Sequence, residues 1–224
     1  MIIIPAFIPQ NFEDLETHLF QVRELTRAVQ IDITDGRLTA SPSWPYVGGD
    51  LEFKEILAQE RGMPVWESFD FEIDLMVLNP AKEYEQWIDA GASRIIFHYK
   101  ENEIATLKDI MQKTRERGVE TGLALHLSDP LDVVKDFIEH AGVIQLMGIS
   151  RIGFQGEPFD ERTLERVRTL KEMYPDMPVS VDGGVNFDTA PLLAEAGVDR
   201  LIIGSAIFGS ADIEEAVEYF TSLN

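Results

Sequence analysis

The strongest constraint on the fold is a regular alternation, along the whole chain, of short apolar runs and longer amphipathic segments. The runs are rich in Ile, Val and Leu and are bounded by turn residues, which is typical of strands buried on both faces of a parallel sheet. They predict eight strands, over residues 2–6, 29–33, 73–78, 94–98, 121–127, 143–149, 179–182 and 200–203.

The segments between the runs have the 3.6-residue period of amphipathic helices. Leu164, Val167 and Leu170, for example, fall on one face of a predicted helix. Glycine follows several segments, as at Gly91 and Gly197, and glycine is the residue expected just past a helix C-terminus. Helices are therefore predicted over residues 12–26, 51–59, 81–89, 103–117, 130–139, 160–173, 188–196 and 212–221.

Eight strand–helix units of about 28 residues each match the count and spacing of a (β/α)8 TIM barrel. No change in composition divides the chain, so a single domain is predicted over residues 1–224. Because local patterns do not show whether a sheet closes, an open, doubly wound α/β sheet remains the alternative. In a barrel, the irregular stretches 36–49 and 150–159 would lie at the C-terminal ends of the strands, where barrel enzymes form their active sites.

The composition excludes several classes of function. The 19 basic and 40 acidic residues give a net charge of -21, so nucleic acid and anionic membranes are poor partners. A small anionic ligand remains compatible, because backbone amides can bind it locally. The lack of cysteine excludes disulfides, thiolate zinc sites and iron–sulfur clusters. Since the N-terminus has no signal-peptide pattern and no apolar stretch approaches ~20 residues, a cytoplasmic protein is expected.

Three carboxylates lie at the C-terminal ends of predicted strands: Asp32, Asp74 and Asp182. One such aspartate alone is readily explained as a turn residue that accepts hydrogen bonds from nearby amides. Three on different strands of one barrel would meet at the same mouth, where acid–base or metal chemistry needs them. His98 and His126 end two further strands, and each is either a structural histidine or a member of the same site.

Glycine-rich turns follow the last two predicted strands. Gly183 and Gly184 come directly after Asp182, and Gly204 and Ser205 end the eighth strand. Glycine lets backbone N–H groups approach an anion closely, and the loops after strands 7 and 8 of a barrel often bind phosphate. The loop 153–156 either adds further amides or is a simple turn.

Together these residues resemble the ribulose-phosphate 3-epimerase family. The resemblance runs through nearly the whole chain, and its motifs occur in the family's order. It is carried by Gln-Ile-Asp-Ile-Thr-Asp-Gly at 30–36, Ile-Asp-Leu-Met-Val-Leu-Asn-Pro at 73–80, Gly-Phe-Gln-Gly at 153–156 after Met147, Val-Asp-Gly-Gly-Val at 181–185 and Gly-Ser-Ala-Ile at 204–207. The resemblance implies a ribulose-phosphate-binding barrel that moves a proton on and off carbon 3 of a pentulose 5-phosphate, usually with a bound divalent metal.

The resemblance also implies roles for individual residues. Asp32 and Asp182 correspond to the family's two acid–base aspartates, which also bind the metal. Two methionines correspond to those that line the reacting centre, and five residues correspond to the phosphate-binding group. The methionines are Met76 and Met147, and the phosphate-binding residues are Gly156, Gly183, Gly184, Gly204 and Ser205.

The chain departs from the family where the metal would bind. Gln30 and Asp74 replace two histidines, Ala6 replaces a serine, and Thr34 replaces a methionine. The residues before the Gly-Phe-Gln-Gly loop, Ser-Arg-Ile at 150–152, also differ from the family's pattern. The implied ligand set of Asp32, Asp74 and Asp182 is all oxygen, which favours Mg²⁺ or Mn²⁺ over Zn²⁺ if a metal binds at all.

A related group, the sugar-phosphate decarboxylases, carries Asp-x-Lys-x-x-Asp on its third strand. Asp74 fits the first position of that motif, but Met76 replaces the lysine and Asn79 the second aspartate, so decarboxylation is discounted. Three interpretations remain: a phosphosugar epimerase or isomerase, a different proton-transfer or lyase chemistry on a phosphosugar, and a non-catalytic phosphosugar-binding paralogue. Barrels of this kind commonly associate, so a homo-oligomer is compatible with the sequence.

Overall fold

Eight parallel strands pair in chain order, and β8 pairs with β1, so the sheet closes into a barrel in this computed structural model. The structure describes residues 1–151, 153 and 156–223. Closure removes the open-sheet alternative and confirms the predicted (β/α)8 barrel. The strands are β1 Ile2–Phe7, β2 Ala28–Thr34, β3 Asp70–Met76, β4 Arg94–His98, β5 Glu120–Leu125, β6 Val143–Met147, β7 Val179–Asp182 and β8 Arg200–Ile203.

Helices surround the barrel: α1 Phe12–Val22, α2 Leu51–Leu57, α3 Tyr84–Asp89, α4 Ile104–Glu116, α5 Arg162–Met173, α6 Thr189–Ala196, α7 Ser205–Phe208 and α8 Ile213–Thr221. Two of the helices are preceded by a residue whose short polar side chain caps the helix N-terminus. Asn11 accepts a hydrogen bond from the Asp14 N–H at 2.9 Å, and Asp212 accepts one from the Glu215 N–H at 3.1 Å. These caps fix where α1 and α8 begin.

Two local predictions were wrong. The α-helix predicted over 130–139 is a 3₁₀ helix over Leu131–Asp136, in a short segment that begins after Pro130 and contains the β-branched pair Val133 and Val134. The helix α7 was not predicted, because its four residues are too few to show a helical period.

The apolar core lies mainly between the barrel and its helices. Phe7, Leu15, Trp44 and Trp87 are among its largest fully buried side chains. Inside the barrel the apolar side chains form two smaller clusters, one around Met76, Ile96, Ala124, Val143 and Met147 and the other of Ile4, Ala6 and Ile202. Polar side chains fill the remaining interior. The strands are therefore less uniformly apolar than their sequence runs indicate.

The N-terminal end of the barrel interior contains a buried ion cluster. Glu72 on β3 accepts hydrogen bonds from Arg94 on β4, at 2.6 Å, and from Arg200 on β8. Arg94 also pairs with Glu120 on β5, whose side chain is mostly exposed and lies at the rim of the cluster. Two cations thus face two anions, and the cluster joins four strands at the end of the barrel opposite the cavity described below.

Among the described residues, no helix is both long enough and apolar enough to span a membrane.

Candidate active site

A cavity of about 50 Å³ opens among the C-terminal strand ends and the loops that follow them. Two carboxylates, Asp32 and Asp182, contribute the acidic part of its lining. The apolar part comes from Ala6, Ile8, Met76, Met147, Ile149, Val185 and Ile202, and the glycine-rich part from Gly153, Gly156, Gly183, Gly184, Gly204 and Ser205. Among the described residues that line it, none is Lys or Arg. The cavity therefore has an acidic site next to backbone amides rather than a basic pocket.

The three predicted carboxylates converge. Asp32 on β2, Asp74 on β3 and Asp182 on β7 each offer an oxygen, and these oxygens lie within 4.8 Å of one another. Asp32 and Asp182 are 8% and 9% exposed, whereas Asp74 is fully enclosed and does not line the cavity. The triad could hold a metal ion, and two of its members also face the cavity.

Two buried glutamine side chains connect these carboxylates. The Gln30 Nε2 donates to Asp32 Oδ1 at 2.9 Å and to Asp182 Oδ2 at 3.0 Å. From β6, the Gln145 Nε2 donates to Asp74 Oδ2 at 3.0 Å and to Asp182 Oδ2 at 3.2 Å. The amide oxygens of both glutamines are buried and have no protein partner. The N–H groups of these side chains therefore make their hydrogen bonds to the acidic cluster.

His98, at the end of β4, is paired with Asp74. Its Nε2 lies 2.6 Å from Asp74 Oδ1, so Nε2 carries the proton when Asp74 is ionised. Its Nδ1 lies 3.4 Å from the Nε2 of His126. Burial, followed by repulsion from His98, lowers the pKa of His126. His98 therefore contacts the acidic cluster through Asp74 but does not line the cavity.

The crowding of carboxylates in a buried site changes their acidity. Burial and the negative charge of Asp74 raise the pKa of Asp182 to about 7. Burial, together with repulsion from Asp182 and Asp74, raises the pKa of Asp32 well above its ordinary value. A carboxyl group that faces a cavity and has a pKa near neutral, as Asp182 does, is suited to give and take protons.

The turn after β7 lines the cavity with two consecutive glycines. Gly183 and Gly184 have φ of +95° and +70°, which other residues rarely adopt. The Gly184 carbonyl accepts a hydrogen bond from Thr189 Oγ1 at 2.9 Å, away from the cavity. A Cβ on Gly184 would lie 2.7 Å from the Phe159 Cα, so the chain passes too closely here for any side chain.

The loop after β8 contributes in the same way. The Gly204 carbonyl accepts hydrogen bonds from the N–H groups of Ile207 and Phe208 at the start of α7, while Gly204 and the exposed Ser205 line the cavity. Gly156 lines the same cavity from the loop after β6 and is exposed. The five residues predicted to bind phosphate thus border one space.

The loops predicted to flank the site meet above it. A Cβ on Gly153 would lie 2.5 Å from the Thr39 Cβ, so the loop after β6 is in contact with the loop after β2. Asp35 braces the latter, since its side chain accepts hydrogen bonds from the N–H groups of Arg37 and of Leu78 beyond β3. Three members of the predicted irregular stretch 150–159, Ile152, Phe154 and Gln155, lie outside the described residues.

Gln145 is the hydrogen-bond donor to the acidic cluster that the sequence analysis missed, as it also missed four apolar lining residues, Ile8, Ile149, Val185 and Ile202. Gln145 lies in an apolar run, between Ile144 and Leu146, and it is fully buried. The sequence does contain a signal for it. Gln145 is a polar residue two positions before Met147, and residues two apart on a strand face the same side of the sheet, so Gln145 is expected on the inward face with Met147. The same alternation places Gln30 on the inward face with Asp32.

Comparison with known proteins agrees with this architecture. The sequence model of the Ribulose-phosphate 3 epimerase family matches residues 2–208. A ribulose-phosphate 3-epimerase of Bacillus subtilis is 27% identical over 96% of this chain and 95% of that protein. One of Schizosaccharomyces pombe is 33% identical over 66% of this chain, and that match spans 63% of the yeast protein.

Among solved structures, a 3-hexulose-6-phosphate synthase from Salmonella typhimurium superimposes with a TM-score of 0.73. That match covers 100% of this chain and 98% of the other at 16% identity, so it shows the shared barrel fold alone. The family match is of a different kind, because it extends over nearly the whole sequence and includes the strands that carry Asp32, Asp74 and Asp182. The chain belongs to the ribulose-phosphate 3-epimerase family.

Proposed function

We propose that the protein is an epimerase or isomerase of a phosphorylated ketose, with Asp32 and Asp182 as its acid–base pair. The observation that carries the proposal is the arrangement of these carboxylates, which come from different strands, border one cavity and share the amide of Gln30. Epimerisation removes a proton from one face of a carbon and returns a proton to the other face. It therefore needs two acid–base groups that can hold opposite protonation states.

The raised pKa values fit that requirement. With the pKa of Asp182 at about 7 and that of Asp32 well above its ordinary value, one carboxyl can carry a proton while the other is ionised at neutral pH. The ionised group takes the proton from the carbon next to the substrate carbonyl, and the protonated group supplies a proton to the opposite face. Since Gln30 donates to both, its amide can stabilise whichever carboxylate is ionised.

The other end of the cavity supports a phosphorylated substrate. The N–H groups of the turns at Gly183–Gly184 and Gly204–Ser205, with Gly156 opposite, offer uncharged donors for a phosphoryl group. A site without Lys or Arg among its described lining residues needs such donors to bind an anion in a chain of net charge -21. Met76 and Met147 are proposed to line the space between the phosphoryl group and the reacting carbon.

The acidic cluster also fits a divalent cation. Asp32, Asp74 and Asp182 would hold it, and the two unpartnered amide oxygens of Gln30 and Gln145 lie on the side chains that contact these carboxylates. An all-oxygen donor set favours Mg²⁺ or Mn²⁺ over Zn²⁺. A cation bound there would act as a Lewis acid that stabilises negative charge on the substrate's oxygens.

The proposal is tested by incubating the purified protein with D-ribulose 5-phosphate in D₂O, with Mn²⁺, with Mg²⁺ and with a chelator. Proton NMR should show loss of the C3 proton signal together with formation of the epimer. A chain that exchanges no proton of any ketopentose phosphate under these conditions, yet binds one by calorimetry, is a phosphosugar-binding protein without turnover. That result would overturn the proposal.

A further inference from the structure

Burying the amide of Gln145 at its position in the barrel costs free energy of hydration. Gln145 lies on β6 inside the barrel, it is fully buried, and its register neighbours are Ala124 on β5 and Ser180 on β7. An apolar side chain of the same length would fill this space without the loss of hydration that a buried amide suffers. A structural preference for packing alone therefore does not explain a glutamine here.

The hydrogen bonds of Gln145 show which part of its amide is used. Its Nε2 reaches two carboxylates from different strands, Asp74 Oδ2 at 3.0 Å and Asp182 Oδ2 at 3.2 Å. Its Oε1 is buried and has no protein partner. The side chain thus acts as a double donor to two like charges, which would otherwise repel across the barrel.

The position of Asp182 depends on these contacts. Its Oδ2 accepts from Gln145 on one side and from Gln30 on the other, so one oxygen is held between two amides. Asp74, in contrast, is enclosed and is itself held by His98. Gln145 therefore connects the enclosed Asp74–His98 pair with the carboxylate that faces the cavity.

We propose that Gln145 is a positioning residue, which holds the Asp182 carboxylate at the cavity floor by tying it to Asp74. The inference rests on the proposed function, because positioning matters for the reaction only if Asp182 transfers a proton. Gln145 does not line the cavity, so it acts through Asp182 and not on the substrate directly.

The test compares Gln145→Met, which keeps the length but removes both donors, with Gln145→Glu, which keeps the shape but replaces the N–H₂ group by oxygen. Ser180→Ala is the matched control, since Ser180 is fully buried, lies beside Gln145 in register and has a hydroxyl without a partner. Both Gln145 variants should lose about 10²-fold in kcat, as a misplaced catalytic group does, with KM for the ketose phosphate within about threefold. The control should keep the wild-type kcat.

A crystal structure of Gln145→Met supplies a second readout that does not depend on activity. The Asp182 side chain should turn away from Asp74, by at least about 1 Å at the carboxyl carbon. Wild-type kcat in Gln145→Met, or an unchanged Asp182 conformation in that crystal, would overturn the positioning role. A wild-type protein without turnover, combined with a displaced Asp182 in the variant, would overturn the proposed function and leave the tie between Asp74 and Asp182 standing.

Discussion

The two ends of the barrel interior handle buried charge in opposite ways. At the N-terminal end, Glu72 lies between Arg94 and Arg200, so each buried charge has an opposite partner. At the C-terminal end, Asp32, Asp74 and Asp182 are gathered together, and their partners are two amides and one imidazole. The same eight strands therefore carry a paired cluster at one end and a surplus of negative charge at the other.

We expect the balanced cluster to contribute to the stability of the fold and the unbalanced cluster to contribute to function. In a balanced buried cluster each charge has an opposite partner, and removing one member leaves an uncompensated charge. An unbalanced cluster raises the pKa of its members and destabilises the ionised fold, which a protein tolerates where proton transfer or cation binding uses it. The following changes test that division, beginning with the largest expected effect.

The largest effect is expected from Asp182→Asn at the unbalanced end. The substitution keeps the shape but removes an acid–base group, so epimerisation of a ketopentose phosphate should fall by about 10³- to 10⁴-fold. Affinity for inorganic phosphate, measured by calorimetry, should stay within about threefold, because the glycine turns that we propose bind it are unchanged. An Asp182→Asn protein that retains the wild-type rate would remove Asp182 from the mechanism.

At the balanced end, Glu72→Leu should destabilise the fold and spare the chemistry. It removes the carboxylate that pairs with the buried Arg200, while Arg94 keeps Glu120, at a cost of about 3–5 kcal/mol in the free energy of unfolding. Urea unfolding measures this change, and Glu24→Gln, which removes an exposed partner of Arg23, serves as control with less than about 1 kcal/mol. A loss of kcat in folded Glu72→Leu would show that the two ends are not independent.

The raised pKa of Asp182 should make the stability of the protein depend on pH. Because the pKa of Asp182 is raised to about 7 in the fold, the folded state holds a proton that the unfolded chain releases near pH 4. Stability is therefore fully present below about pH 4 and is lost as the pH rises towards about 7, by up to roughly 4 kcal/mol. Asp182→Asn should lack this loss of stability. The free energy of unfolding, measured with urea across that pH range, should therefore fall more steeply with pH in the wild type than in the variant. An equal pH dependence in the two proteins would contradict the raised pKa of Asp182.

The smallest effect is expected from the glycine turn. Gly184→Ala places a Cβ 2.7 Å from the Phe159 backbone, so the turn must shift and phosphate affinity should fall by about tenfold. Gly118→Ala is the matched control, since Gly118 also has a positive φ but has nothing within 4 Å of an added Cβ. Equal phosphate affinity in the two variants would mean that the β7 turn does not bind the phosphoryl group.

The sequence was sufficient for the elements with a strong local signal. The strands β4, β7 and β8 have the predicted bounds, and the three aspartates meet because barrel strands end at one mouth. What it could not provide was the partner of each inward side chain. His98 contacts Asp74, and Gln145 reaches across the interior to the same residue, through strand register and barrel closure that no local pattern contains.

For the same reason, the sequence did not predict the buried ion cluster. Arg200 begins a run that was interpreted as apolar on both faces, and Glu72 directly precedes another, predicted over 73–78. Their pairing joins residues far apart in the chain. A period-2 analysis of each run would have placed them on the inward face, but it could not have shown that one end is balanced and the other is not.

The most direct test of the central claim compares two single variants, Asp32→Asn and Asp182→Asn. Each variant is incubated in D₂O with each of the two C3 epimers of the ketopentose phosphate in turn. If the two aspartates act on opposite faces of one carbon, neither variant will interconvert the epimers. Each will still exchange the proton of one epimer, and the two variants will act on different epimers. Exchange of both epimers by either variant at the wild-type rate would contradict a reaction shared between Asp32 and Asp182.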